Sequence, residues 1–149
     1  MKFALDTEFI DTPAYSELIS LALVGGDGRA LYVEFKYPTE AITPWLEKHV
    51  VSQLSGESVS FPTAAAMIRE FVGGSAYEPP EFWAYYGTYD WYWFRRVFGG
   101  MMELPDYYPR LSQEFALIQE GIPNLYGAEH HALNDARSLM HAMRLKNIT

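Results

Sequence analysis

The sequence predicts a mixed α/β domain in which a sheet is covered by helices, and three observations carry that reading. An N-terminal block holds three apolar stretches joined by a glycine-rich turn, the mark of an antiparallel meander. Apolar residues then recur at helical spacing in two successive segments. A short apolar run, Phe82 to Tyr86, leads through Gly87 and Thr88 into a further helical pattern, as expected of a buried strand feeding a helix.

Taken in order, residues 2 to 10, about 16 to 24 and about 29 to 35 read as strands, with Gly25, Gly26, Asp27 and Gly28 joining the second to the third. Trp45, Leu46 and Val50 suit a helix from Thr43 to about Leu54, and Ala64, Met67, Ile68 and Phe71 suit one from Thr63 to about Val72. Pro62 and the Gly73, Gly74 pair punctuate the second. After the strand at Phe82 to Tyr86, a helix runs to about Phe98, with Trp91, Phe94 and Phe98 on one inward face. Met101 to Pro109 is loop-like, and Leu111 to Glu120 reads as helical, with a short strand near Tyr107 as the alternative. Ala136, Leu139, Met140 and Met143 share one face of a final helix that Asn134 is placed to cap.

Gross composition narrows the function classes. With 149 residues and 49% hydrophobic content, a single domain spanning residues 1–149 can bury a sizeable core. No cysteine is present, which excludes disulfides and thiolate metal sites. Met1 and Lys2 run into the first strand and no apolar stretch is long enough to span a bilayer, so no signal peptide, no membrane association and a cytoplasmic location are expected. A net charge of -8 argues against gripping long nucleic acid by its backbone, because that affinity comes from basic residues releasing counterions. It leaves room for chemistry at a chain end, where bound cations can supply the positive charge.

Four carboxylates and a histidine then stand out in three separate segments: Asp6 and Glu8 in LDTEF, Asp90 in TYDW, and His130 with Asp135 in HHALNDAR. The two-residue period of a strand sends Asp6 and Glu8 to one face. They sit among Phe3, Ala4, Leu5, Phe9 and Ile10, where an uncompensated carboxylate pair would be costly. Two anions that close repel unless cations intervene, and Mg²⁺ or Mn²⁺ favours such hard oxygen ligands. Asp90 falls at the second or third position of a helix that follows a strand, where ligand sites of α/β folds gather, although an acid there also suits the helix dipole. On one continuous helix His130 and Asp135 would diverge by roughly 140°. They converge only if the chain is irregular at His130 and helical by Asp135.

These segments resemble the three motifs of the DEDDh-type, ribonuclease T-like 3′-5′ exonucleases, with LDTEF as the first, YDW as the second and the span from His130 to Asp135 as the third. DTEFI, ELIS at Glu17 to Ser20 and ALNDAR at Ala132 to Arg137 are most similar to the small stand-alone exoribonuclease branch. The resemblance implies a ribonuclease H-like mixed sheet, an antiparallel three-strand meander extended by parallel strands and flanked by helices. It implies a metal-dependent exonuclease that hydrolyses phosphodiesters from the 3′ end of single-stranded RNA or a short overhang and releases nucleoside 5′-monophosphates. Asp6, Glu8, Asp90 and Asp135 become the ligands of two Mg²⁺ or Mn²⁺ ions about 4 Å apart at the scissile phosphate. His130 becomes the general base, since imidazole titrates near neutrality.

Many relatives carry a small hydroxyl residue after the motif glutamate, where Phe9 stands here. Phe9 is nevertheless the stacking candidate, and with Thr7 it completes the expected substrate contacts. His131 competes for the base role, but His130 has the family spacing. Most of the 16% aromatic content is expected in the core. RNA or DNA 3′ ends remain open as substrates, as does a homodimer whose second subunit lends basic surface. The alternative is a catalytically silent nucleotide-binding module on the same fold, or a protein whose acids form only a solvated face.

Overall fold

Strand β1 (Lys2–Asp11) forms the centre of a five-stranded sheet because its residues are apolar toward both faces. The computed structural model describes residues 1–149, and in it Phe3, Ala4 and Leu5 are all fully buried. Phe3 and Leu5 enter one core, and Ala4 enters another on the opposite side of the sheet. Strands β2 (Ser16–Gly25) and β3 (Ala30–Glu34) continue the sheet on one side as an antiparallel meander. Strands β4 (Glu81–Ala84) and β5 (Gln113–Glu114) extend it on the other side in parallel, giving the order β3-β2-β1-β4-β5.

The β1–β2 ladder slips where the site begins. Glu8 faces Ser20 but Phe9 faces Leu18, which leaves Ile19 as an extra residue on β2. Such a bulge re-aims the side chains beyond it. Leu18 therefore joins the same core as Phe3 and Leu5, while Ile19 and Ile10 fill a separate small core with Leu46 and Val50.

Helices α2 (Phe61–Val72) and α3 (Gly87–Phe98) cover one face of the sheet around Ile68, Phe82, Trp91 and Phe94. Helix α4 (Ala132–Leu145) covers the other face through Ala136, Leu139, Met140 and Met143, the apolar stripe expected from its spacing. The short α1 (Pro44–His49) closes the end beside Ile10 and Ile19. Its start is fixed by Thr43, whose Oγ1 accepts the Leu46 N–H at 3.2 Å, and by Pro44 in the first turn.

Several boundaries differ from the sequence reading. The helix expected from Thr43 to Leu54 stops at His49, and Val51–Gln53 forms a separate 3₁₀ turn. The break lets Val50 bury against Ile10 and Ile19, and it leaves Trp45 half exposed on the outer side. The segment from Leu111 to Glu120 is not a helix, and Tyr107 is not in a strand. Gln113 and Glu114 pair with Trp83 and Ala84 as β5, and Phe115–Leu117 follows as a 3₁₀ turn. Pairing at an open sheet edge satisfies backbone groups that a short isolated helix would leave to solvent. Helix α3 begins at Gly87, which moves Asp90 to the fourth helical position. Helix α4 begins at Ala132, so Asn134 lies inside its first turn and its Nδ2 reaches back to the Ala128 carbonyl at 3.2 Å.

Candidate active site

Three elements bring the five residues together. β1 presents Asp6 and Glu8 toward α4, the face that Ala4 also shares. Helix α4 contributes Asp135 from its first turn. His130 stands just before that helix with φ of 61°, a left-handed backbone conformation that non-glycine residues seldom adopt. This local reversal folds the peptide back, so that the His130 N–H donates to Asp135 Oδ2 at 3.0 Å. The irregularity required by the His-to-Asp spacing is thus present at His130 itself.

Asp90 enters from α3 on the other side of β1. Its Oδ1 accepts both the Thr7 N–H at 3.0 Å and the Thr7 hydroxyl at 2.6 Å, and the residue is only 6% exposed. Thr7, expected to contact substrate, is itself buried, and its hydroxyl is committed to Asp90. The hydroxyl and the peptide together lock the carboxylate against the strand that carries Asp6 and Glu8.

The electrostatics reflect this crowding. Burial raises the Asp6 carboxyl well above the ordinary range, and the charges of Asp90, Glu8 and Asp135 raise it further. Burial, reinforced by Asp135 and Asp90, lifts Glu8 to about 8. Asp90 rises to about 7 through burial, against the opposing pull of its two Thr7 hydrogen bonds. Burial also raises Asp135, although the His130 N–H draws it back. Asp6 Oδ2 is shut off from solvent and finds no hydrogen-bond donor. An acidic group with a buried lone oxygen is short of positive charge, and a hard divalent cation supplies it. Ligand atoms of Glu8, His130 and Asp135 lie within 4.8 Å of one another, close enough to share one ion.

The cluster opens into a cleft of about 330 Å³ lined by Asp6, Asp135, His130, Glu129, Tyr85 and Asn124. His131 lies outside the ligand group. Its ring stacks on Tyr32 at 4.8 Å between centroids, and burial lowers its pKa. Phe9, on the opposite face of β1 from Asp6, stacks on Tyr89 at 5.9 Å.

Some contacts had no local signature in the sequence. The Trp45 ring packs edge-on against His130 at 4.9 Å, and Gln53 Nε2 donates to the Glu129 carbonyl at 2.8 Å. Glu129 borders the cleft, with its Oε2 4.0 Å from His130 Nε2. Only its adjacency to His130 in the chain pointed to it.

Fold and cluster define an α/β protein with an acidic, histidine-flanked cleft suited to a divalent cation. The chain belongs to the family of the 3′-5′ exoribonuclease Rv2179c-like domain, whose sequence model matches residues 1–146. It is 32% identical over 155 aligned positions to the 3′-5′ exoribonuclease Rv2179c of Mycobacterium tuberculosis strain H37Rv, covering 97% of this chain and 92% of the relative. The 3′-5′ exoribonuclease MT2234.1 of strain CDC 1551 matches with the same identity and coverage. Family membership and these relatives support an exonuclease.

Proposed function

We propose that this protein is a metal-dependent 3′-5′ exoribonuclease of DEDDh type on a ribonuclease H-like sheet. It removes nucleoside 5′-monophosphates one at a time from the 3′ end of single-stranded RNA or a short 3′ overhang. The observation that carries this reading is the convergence of Asp6, Glu8, Asp90, Asp135 and His130 from three elements, with mutual repulsion among the carboxylates and an unpartnered oxygen on Asp6. The order β3-β2-β1-β4-β5, antiparallel on one side of β1 and parallel on the other, supports the fold assignment.

Asp6, Glu8, Asp90 and Asp135 would hold two Mg²⁺ or Mn²⁺ ions. When bound, such ions supply positive charge to the reacting phosphate and favour ionisation of the attacking water. Thr7 fixes the Asp90 carboxylate through its hydroxyl and N–H, so its part is to position a ligand. His130, at the mouth of the cleft and part exposed, takes the proton from the attacking water and passes it to solvent. Water oxygen bonds to phosphorus and the bond to the upstream 3′ oxygen breaks. That oxygen takes a proton from solvent and leaves as the new 3′ hydroxyl, and the terminal nucleotide departs with its 5′ phosphate.

Digestion of 5′-labelled single-stranded RNA beside matched DNA, with Mg²⁺, Mn²⁺ or chelator, tests this directly. The expected result is a ladder shortening from the 3′ end of RNA, abolished by chelator and by Asp6→Asn. Wild-type protein that binds mononucleotide but leaves RNA intact would favour a silent binding module, and equal digestion of DNA would remove the sugar preference.

A further inference from the structure

His131 has no part in the proposed reaction, yet it lies between two residues that do. Helix α4 starts from it, its carbonyl accepting the Asp135 N–H at 3.1 Å, and it follows His130 directly. Its Nδ1 is shut off from solvent and finds no hydrogen-bond partner, so what orients the ring is its stack on Tyr32, with 28° between the planes. His130 itself keeps a left-handed backbone, a conformation that persists only where the surroundings over-determine it.

The sheet carries that stack back to a buried carboxylate. Across the strands Asp6 faces Ala22, which faces Tyr32, and Glu8 faces Ser20, which faces Glu34. Directly opposed residues share a face, so Tyr32 and Glu34 stand on the α4 side with the acidic cluster, two strand spacings or about 10 Å away. Tyr32 packs against the α4 core and donates its hydroxyl to Glu34 Oε2 at 2.7 Å. Glu34 is only 4% exposed and takes part in no ion pair. The Ser55 N–H at 2.8 Å, the Ser55 hydroxyl at 3.0 Å and the Gly56 N–H at 2.9 Å supply the rest of its shell. A buried carboxylate filled by four donors is a fixed point.

Those donors belong to the same segment as Gln53, whose side chain holds the Glu129 carbonyl. Residues 53–56 therefore grip the His130 turn at both ends. Gln53 holds it at Glu129, just before His130, and Ser55 and Gly56 hold it through Glu34, Tyr32 and His131, just after. We infer that Tyr32 and His131, anchored by Glu34, are positioning residues for His130. The Glu34 carboxylate fixes the Tyr32 ring, the ring fixes His131, and His131 holds the strained backbone that presents the His130 imidazole to the cleft. The inference rests on the exoribonuclease reading and adds to it what keeps the base in place.

The test uses the full chain with Mn²⁺ and a 5′-labelled oligoribonucleotide, and it compares wild type with Tyr32→Leu, Tyr32→Phe, His130→Ala and the double variant of Tyr32→Leu with His130→Ala. Tyr32→Leu removes the stack and is expected to lower kcat roughly tenfold while KM changes less than about twofold. Tyr32→Phe keeps the ring and holds kcat within about threefold of wild type. In the His130→Ala background, Tyr32→Leu is expected to cost less than about twofold more, because a residue that acts through His130 has nothing left to position. A change that merely weakens the fold does not give this pattern. Unchanged kcat in Tyr32→Leu, an equal loss in Tyr32→Phe, or the same roughly tenfold loss on top of His130→Ala would overturn the inference. If the wild type leaves RNA intact, the exoribonuclease reading fails separately, and the NOE between the His130 and Trp45 rings, which meet edge-on at 4.9 Å, decides the positioning. An NOE lost in Tyr32→Leu and kept in Tyr32→Phe sustains it, whereas any other pattern overturns it.

Discussion

Asp6 concentrates the conflict within the site, since burial and three neighbouring carboxylates all oppose its ionisation. Removing its charge has two opposite consequences. Asp6→Asn is expected to stabilise the metal-free protein near neutral pH by on the order of 1 to 3 kcal/mol, and to abolish the thermal shift produced by Mn²⁺. A variant less stable than wild type in chelator would show that Asp6 is held by donors rather than repelled by acids. His130 poses a different question, because its ring nitrogen lies close enough to Glu8 and Asp135 to be a ligand as well as a base. As a base, it leaves the Mn²⁺ shift intact in His130→Ala while kcat falls by roughly 10² to 10⁴; loss of the shift would place it among the ligands. Alternation along β1 made the shared face of Asp6 and Glu8 legible in the sequence. The grip of Thr7 on Asp90 was not, because it joins residues 83 positions apart and a threonine in a strand has many unremarkable uses.

At the scale of elements, the site depends on a loop held from outside. Gln53 Nε2 donates to the His49 carbonyl at 2.6 Å and to the Glu129 carbonyl at 2.8 Å, tying the end of α1 to the segment that delivers His130. Gln53→Ala is expected to lower kcat roughly tenfold by loosening that segment, with a stability cost of only about 0.5 to 1.5 kcal/mol per lost hydrogen bond. A large drop in Tm with kcat intact would make the tie purely structural. The helical stripe of α4 and the meander were readable because their periods are local. The region from Leu111 to Glu120 misled because its helical spacing competed with a distant demand. Trp83 and Ala84 leave a sheet edge open, and Gln113 and Glu114 fill it. Likewise Asn134 looked like a cap because it precedes the apolar stripe, yet the helix had already begun at Ala132.

For the whole molecule, the cluster couples stability to pH and to metal in a direction opposite to that of ordinary salt-bridged acids. Glu8 and Asp90 keep their protons up to about 8 and about 7 in the native state, with Asp6 also raised, whereas the unfolded chain releases them near 4.5 and 3.8. Between those limits the native state binds more protons than the unfolded chain, so stability falls as pH rises, by on the order of 1 kcal/mol per pH unit for each group still protonated. His131, lowered by burial, works the other way by favouring the native state as pH climbs past the imidazole range, but it is one group against several. Cation binding requires the carboxylates ionised and releases their protons, so a cation bound at the cluster, as proposed, would restore the stability that deprotonation removes. In chelator, Tm is therefore expected to fall between about pH 5 and pH 8, while the upward shift caused by Mn²⁺ grows over the same window. A chelated Tm that stays flat or rises toward pH 8 would mean that the four carboxylates are already ionised without metal, and that the fold tolerates their repulsion by another route.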